Sequence, residues 1–479
     1  MPGEDMTQQF AADRQAPARA GARPDMPPIG GEAGARPADS LTDCLRFAAR
    51  AAAAFDSWKR RPVAERAALL HALADRLEQH AEPLRLCMAE EIGTPAPWAR
   101  FNVSFAARLL RDTAALAPQL EADEPLAAAS GRVGLARRLP SGVSLGVAPW
   151  NAPLILGIRA MAAPLLCGNT VLLKGSEFAP QTFRKLGAVL AEAGLPPDVA
   201  RVLVTRPEDS EEIVSQLIAD PVVTRVNFTG STRVGRRIAD MCARHLKRPL
   251  LELGGQATAV VLPGADPDLA AGALALGAWT NQGQVCMSTE RVIVVGDMAE
   301  ALIPRLEAAR AALRVGDARD ETTQIGPVIS EAAAHRLAEM LEDAVRQGAV
   351  IVGGGGIQSR HVAPTLIDHV TPDMRLAREE AFGPVLSVLR VQSPLEALTV
   401  ANDSDYGLAA AVFDRDPDRA EAFAADLHCG ICHINGPTID DHPGAPFGGT
   451  KMSGFGRFGG RWALDEFTET RWITRPERG

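Results

Sequence analysis

From Ser40 onward the apolar residues fall at helical spacing. Leu45, Phe47, Ala51 and Phe55 follow Ser40 or Thr42, either of which is a suitable cap for a first helix. Further helical periodicity runs through Leu69 to Leu86 and through Phe105 to Leu116. Between about 142 and 252 short apolar runs alternate with amphipathic stretches. The runs at 143–149, 170–174, 201–205 and 225–228 predict strands, and the stretches at 152–166, 180–193, 209–219 and 232–245 predict helices. Such alternation implies parallel βαβ units covered on both faces. Ligands of such sheets bind beyond the carboxyl ends of the strands, so Trp150, Asn151, Lys174, Glu177 and Gly230 are expected along one edge. A second α/β segment runs from about 253 to 460, with strands expected at 258–262, 291–295 and 385–391. No repeat of the solenoid kind is visible.

Residues 1–39 lack this periodicity. They are rich in Ala, Pro, Gly and Arg, and predict a loosely attached arm. The remaining length suits several domains, and 46% apolar with 23% charged residues suits a soluble globular enzyme. A net charge of -9 without a basic block argues against a nucleic-acid partner. The first residues show no basic segment leading into an apolar core, and the longest apolar stretch, 257–279, is broken by Asp266 and Asp268. A soluble, cytoplasmic protein without a membrane partner is expected.

Seven scattered cysteines do not form a disulfide framework. Cys429-Gly430-Ile431-Cys432-His433 matches the spacing of a covalent haem attachment, but it also reads as a buried strand, and packing is the preferred reading. No metal site is expected. Cys286 is different, because it follows Gly283, where the backbone can bend toward a ligand and leave a nucleophilic thiol accessible. Glu252 lies between leucines and ahead of Gly254-Gly255. Burial there raises a carboxyl pKa toward neutrality, as suits a general base, although an ion pair is an equal reading of that segment alone. Asn151, in Pro149-Trp150-Asn151-Ala152-Pro153, is a candidate donor to an oxyanion, or simply a turn residue. Phe228-Thr229-Gly230-Ser231-Thr232-Arg233-Val234-Gly235 follows a strand and opens a helix, so its amides can face a phosphate.

In order, the segments 149–153, 174–177, 228–235, 251–255, 283–286, 379–385 and 446–456 resemble the aldehyde dehydrogenase superfamily over nearly the whole chain from about residue 40. The resemblance implies an α/β fold with a Rossmann-like parallel-sheet NAD-binding domain (40–121 and 142–252). It also implies a second α/β catalytic domain (253–463) and a small β oligomerisation arm (122–141 and 464–479), giving a homodimer or homotetramer. Cys286 would attack the aldehyde, Asn151 and the Cys286 amide would hold the oxyanion, and Glu252 would activate the hydrolytic water. Lys174 and Glu177 would hold the adenosine ribose with Trp150 nearby, and Gly230, Ser231, Gly235 and Gly254 would belong to the dinucleotide site. Glu380 and Phe382 would fix the nicotinamide ribose. Glu177 favours NAD over NADP, because a carboxylate at the ribose repels a 2′-phosphate.

Finer motifs look like the salicylaldehyde, vanillin and benzaldehyde dehydrogenase group: 173–177, 281–291 and 432–436. An aromatic aldehyde is therefore the expected substrate. Arg159, two turns beyond Asn151, would pair with or stack on the ring unless it pairs with a structural acid, and Trp98 would wall the pocket. Gln256 and Ala160 stand where family members carry lysines, leaving the proton path open to question although Glu469 is retained. An aliphatic or semialdehyde substrate is the main alternative. A cofactor-independent thioester or ester hydrolase and a silent scaffold are remoter ones, since the first leaves Lys174, Glu177, Glu380 and Phe382 without purpose.

Overall fold

The computed structural model describes residues 38–477, so nearly all of the expected N-terminal arm lies outside the described residues. Asp39 is already anchored: its amide donates to the Val204 carbonyl at 2.8 Å and its carboxylate accepts the Val204 amide at 2.9 Å. The first helix, Leu41–Lys59, is capped by Ser40, whose hydroxyl accepts the Asp43 amide while Asp43 reaches back to the Ser40 amide. This reciprocal cap satisfies two amides that a helix start otherwise leaves without acceptors. Cys44, Phe47, Ala51 and Trp58 form its buried face, with Leu45 and Phe55 only half-buried. The periodic stretch around 69–86 is two helices, Val63–Gln79 and Ala81–Ile92, meeting at His80. Pro83 explains the break, since proline is tolerated in the first turn of a helix and not in its interior.

Five parallel strands form most of a six-stranded sheet. In space the order is Gly454–Phe455, Arg248–Glu252, Val223–Thr229, Val143–Val147, Thr170–Lys174 and Ala200–Leu203, with only the first antiparallel. Every residue of Val143–Val147 and Thr170–Lys174 is buried, as a strand covered on both faces requires. Leu41–Lys59, Ser210–Ala219 and Thr232–Arg244 supply one covering core, and Val63–Gln79, Ala96–Ala114, Pro153–Leu166 and Pro180–Glu192 the other. The chain runs outward from Val143–Val147 to Ala200–Leu203 and then returns to Val223–Thr229 on the opposite side. The resulting switch point opens a crevice at the carboxyl ends.

The second sheet has seven strands. Thr365–Asp368, Val385–Val391, Thr289–Val295, Ala257–Val261, Ala409–Phe413 and Ile431–Ile434 are parallel, and Val350–Gly353 pairs antiparallel at one edge. Ile431–Ile434 forms the other edge and is half-buried, not buried as its apolar run suggested, because an edge strand has a neighbour on one side only. Cys429 and Cys432 are free thiols, and Cys432 packs against the core of this sheet. A third sheet joins Glu124–Leu126, Arg132–Pro140 and Thr468–Pro476 in antiparallel order. No helix among the described residues is long and apolar enough to cross a membrane.

Candidate active site

Glu252 ends a strand of the first sheet, and Leu253 to Gln256 carry the chain to Ala257–Val261 of the second. Cys286 lies just ahead of Thr289–Val295. The carboxyl edge of one sheet therefore meets the amino edge of the other, and the two candidate residues meet at that junction. Glu252 is 1% exposed, and among the described residues neither oxygen of its carboxylate has a hydrogen-bond partner, so it is a buried acid left free beside the Cys286 thiol. Burial pushes its carboxyl up to about 7; the thiol and Arg159 act to lower it, while Glu380 and Asp441 add to the rise. Burial, and then the Glu252 charge, raise the Cys286 thiol well above its ordinary value. A thiol so placed loses its proton only when a neighbouring base accepts it.

The loop before Cys286 holds three consecutive residues in the left-handed region: Asn281 (φ 51°), Gln282 (φ 56°) and Gly283 (φ 67°). Two lack the conformational freedom of glycine, and each costs of order 1–3 kcal/mol that surrounding bonds must offset. Gln282 donates to the carbonyls of Gly93 and Pro327, and Gln284 accepts the Ile329 amide at 2.8 Å. Asn151 is buried with its amide nitrogen 3.0 Å from the Gln284 carbonyl, so it lies against the nucleophile loop with a second N–H to offer. The Asn151 carbonyl in turn accepts from Asn281 and from the Trp98 indole, both at 3.2 Å. Gly255 permits a close approach to the nucleophile, since a Cβ there would sit 2.2 Å from the Cys286 carbonyl oxygen.

A groove of about 620 Å³ runs along the carboxyl ends of the first sheet. Lys174 and Glu177 form an ion pair at its wall, with Trp150 and Gly230 beside them. Burial lowers the Lys174 ammonium and the Glu177 charge opposes the shift. Val214, Val234, Ile238 and Met241 make an apolar slot between two helices. Ser231 caps the helix Thr232–Arg244 and accepts the Val234 amide. Gly230 and Gly235 are explained by packing: a Cβ would lie 2.5 Å from the Phe228 ring or 2.3 Å from the Leu253 side chain. Glu380 accepts the Gly255 amide at 2.8 Å, and a Cβ at Gly254 would lie 2.6 Å from its carboxylate. The Phe382 ring stands edge-on to Trp150 at 5.8 Å. A paired ammonium and carboxylate for ribose hydroxyls, a helix N-terminus for phosphate and an apolar slot for a flat base together fit a dinucleotide. No cluster of three or more His, Cys, Asp or Glu suited to a metal occurs among the described residues.

Arg159 is 5% exposed and committed: its guanidinium donates to Asp441 at 2.6 Å and lies 3.9 Å above the Phe447 ring. It takes the structural acid that the sequence left as its other reading. Trp98 is half-buried and stacks on Phe101 at 5.2 Å. Gln256 bonds to the Glu379 carbonyl and accepts from Ser404, a structural role. Ala160 packs against Gly146. Glu469 is exposed in the third sheet and pairs with Arg225, which lies at the opposite end of the first sheet's strands from Glu252. Sequence reasoning missed Asp441, Phe447, Glu290 and Arg336. Only Glu290, a charge inside the apolar run 289–295, carried a signal.

The chain belongs to the aldehyde dehydrogenase family, whose model matches residues 24–473. It is thus an oxidoreductase of aldehydes that uses a nicotinamide dinucleotide, NAD or NADP. It is 48% identical to a vanillin dehydrogenase of a Pseudomonas species over 93% of both chains. A salicylaldehyde dehydrogenase from Pseudomonas putida, crystallised with salicylaldehyde, superposes with a TM-score of 0.90 at 42% identity over 91% of both chains. A succinate-semialdehyde dehydrogenase using NADP, from Deinococcus radiodurans, is 39% identical over 88% of both chains.

Proposed function

We propose that this chain oxidises an aromatic aldehyde to its carboxylic acid with NAD, through a thioester on Cys286. The observation that carries the reading is the buried Glu252 carboxylate, without a hydrogen-bond partner among the described residues, beside the Cys286 thiol, with the Asn151 amide tied to the same loop. Glu252 takes the thiol proton as the sulfur attacks the aldehyde carbon. Asn151 and the Cys286 amide donate to the resulting oxyanion, which stabilises the charge that develops on oxygen. A nicotinamide dinucleotide bound in the groove supplies the acceptor for the hydride that leaves this carbon. Glu252, once it has released its proton, removes another from water. The hydroxide then attacks the thioester, the C–S bond breaks and the acid departs as Cys286 recovers its proton.

The vanillin and salicylaldehyde relatives support an aromatic substrate, as does Trp98, whose indole bonds to the Asn151 carbonyl. Glu177 supports NAD, since a 2′-phosphate at that wall would add charge beside a carboxylate. Arg159, neutralised by Asp441, then acts as an aromatic-stacking wall and not as a free partner for a substrate anion. The exposed edge of the third sheet supports association into dimers or larger oligomers.

The test is formation of reduced nicotinamide with benzaldehyde, salicylaldehyde, vanillin, succinic semialdehyde and hexanal, each with NAD and NADP, for wild type and Cys286→Ala. Turnover that depends on Cys286 and favours the aromatic aldehydes with NAD is expected. Faster semialdehyde or hexanal oxidation would overturn the substrate class, and a preference for NADP would overturn the reading of Glu177.

A further inference from the structure

Glu290 is a carboxylate that the reaction does not use. It lies on Thr289–Val295, four residues after the nucleophile, and is 3% exposed. Burying a carboxylate this deeply is unfavourable unless hydrogen bonds replace the lost water. Here both oxygens are engaged by one short turn: Oε2 accepts the Ala381 amide and Oε1 the Phe382 amide, each at 2.8 Å. That turn carries Glu380 and Phe382. Phe382 has a φ of 45°, a left-handed conformation that a bulky residue holds only under external restraint. Arg336, from the helix Glu331–Arg346, donates to the Glu380 and Ala381 carbonyls from another element. The amides of the turn thus face Glu290 and its carbonyls face Arg336.

We propose that Glu290 is a positioning residue for dinucleotide binding, fixing the Glu380–Phe382 turn through its two backbone hydrogen bonds. The inference rests on the reading that Glu380 and Phe382 meet the nicotinamide ribose. Without Glu290 two buried amides lose their acceptors, and Phe382 relaxes from the left-handed region. Its ring then leaves the edge-on contact with Trp150, and Glu380 shifts from Gly255. Burial, and then the charge of Glu380, raise the Glu290 carboxyl to about 8, so the two hydrogen bonds hold a group that the site otherwise tends to protonate.

The experiment compares wild type, Glu290→Ala, Glu290→Gln and Glu380→Gln. It measures the NAD dissociation constant by tryptophan fluorescence, the KM for aldehyde, and hydrolysis of p-nitrophenyl acetate without dinucleotide. Glu290→Ala is expected to weaken NAD roughly tenfold, a fraction of the loss set by one or two buried hydrogen bonds. Glu290→Gln, which keeps one acceptor, is expected to weaken it less. Both should hold the KM for aldehyde and the ester hydrolysis within about twofold, a split that general disruption of the nucleophile loop would not give. Unchanged NAD affinity in both Glu290 variants, or a parallel loss of ester hydrolysis, would overturn the proposal. Glu380→Gln separates the two failures. If it leaves NAD affinity unchanged, the ribose reading itself falls; if it weakens NAD while the Glu290 variants do not, only the positioning role falls. Should Glu290→Ala fail to fold, the smaller change Glu290→Gln decides by the same split.

Discussion

The burial that suits Glu252 to the proposed role of a base near neutral pH works against the stability of the fold. The Glu252 carboxyl is raised from 4.5 to about 7, chiefly by loss of water. A carboxyl whose folded pKa lies above its unfolded value binds more protons in the native state between the two values. Stability therefore falls as pH rises from about 4.5 to about 7, and the penalty persists above. Glu252→Gln removes the charge at nearly constant shape. The variant is expected to be more stable than wild type by about 1–3 kcal/mol near pH 8, with the gain shrinking as pH falls toward 5. Urea denaturation at several pH values checks this, and a gain independent of pH would show that the charge is not its source. The same variant is expected to lose about a hundredfold or more in thioester hydrolysis, the usual worth of a general base. Arg159 and Asp441 obey a related rule. Asp441→Asn leaves a guanidinium buried without its counter-charge and is expected to cost about 3 kcal/mol or more, whereas replacing both residues with apolar ones of similar volume costs less. Denaturation of the single and double variants tests it.

The site is made where elements end. Strand Arg248–Glu252, the turn through Gly254 and Gly255, and the loop Asn281–Cys286 approach so closely that side chains on the glycines have no room. Gly255→Ala would force its Cβ against the Cys286 carbonyl, and the strand behind it cannot retreat. A displacement approaching 1 Å is expected to lower kcat/KM by about a hundredfold, with slower iodoacetamide labelling of Cys286. Labelling at the wild-type rate would show that the nucleophile had not moved. Much of this scale is legible in the sequence, because apolar runs and amphipathic stretches report burial directly: Thr170–Lys174 and Val385–Val391 have the predicted limits. Of the residues expected at the carboxyl edge, Trp150, Lys174, Glu177 and Gly230 line the crevice, whereas Asn151 bonds to the nucleophile loop instead. Hidden from the sequence were contacts between distant segments. Nothing near Asp441 in a polar loop announces Arg159, and nothing in 379–383 announces that Glu290 holds it. Glu469 misled for the converse reason, since a matching residue kept its place in the chain while its side chain turned to Arg225.

At the scale of the whole molecule, the third sheet is out of proportion to its core. Thr468–Pro476 is hydrogen-bonded along its full length to Arg132–Pro140, yet it forms an edge of the sheet and most of its residues are exposed. Trp472 is 68% exposed in its middle. A long edge strand bearing a bare indole invites association, and natural proteins cover such edges or pair them. Among the described residues neither occurs, which supports the arm as the surface where copies meet. Trp472→Arg, on a strand already held by its ladder, is expected to leave folding intact and shift the mass measured by light scattering toward smaller species at micromolar concentration. An unchanged mass would remove the arm from the interface. The activity of the smaller species is informative as well. Cys286, Glu252, Asn151 and the groove of the first sheet are all built within one chain, and the arm's side-chain bonds from Arg225 to Glu469 and from Arg138 to Asp465 reach none of these residues. Turnover per site is therefore expected to fall no more than a few-fold when the copies separate. A complete loss would mean that subunit contact, and not the single chain, holds the junction of the two sheets in its working form.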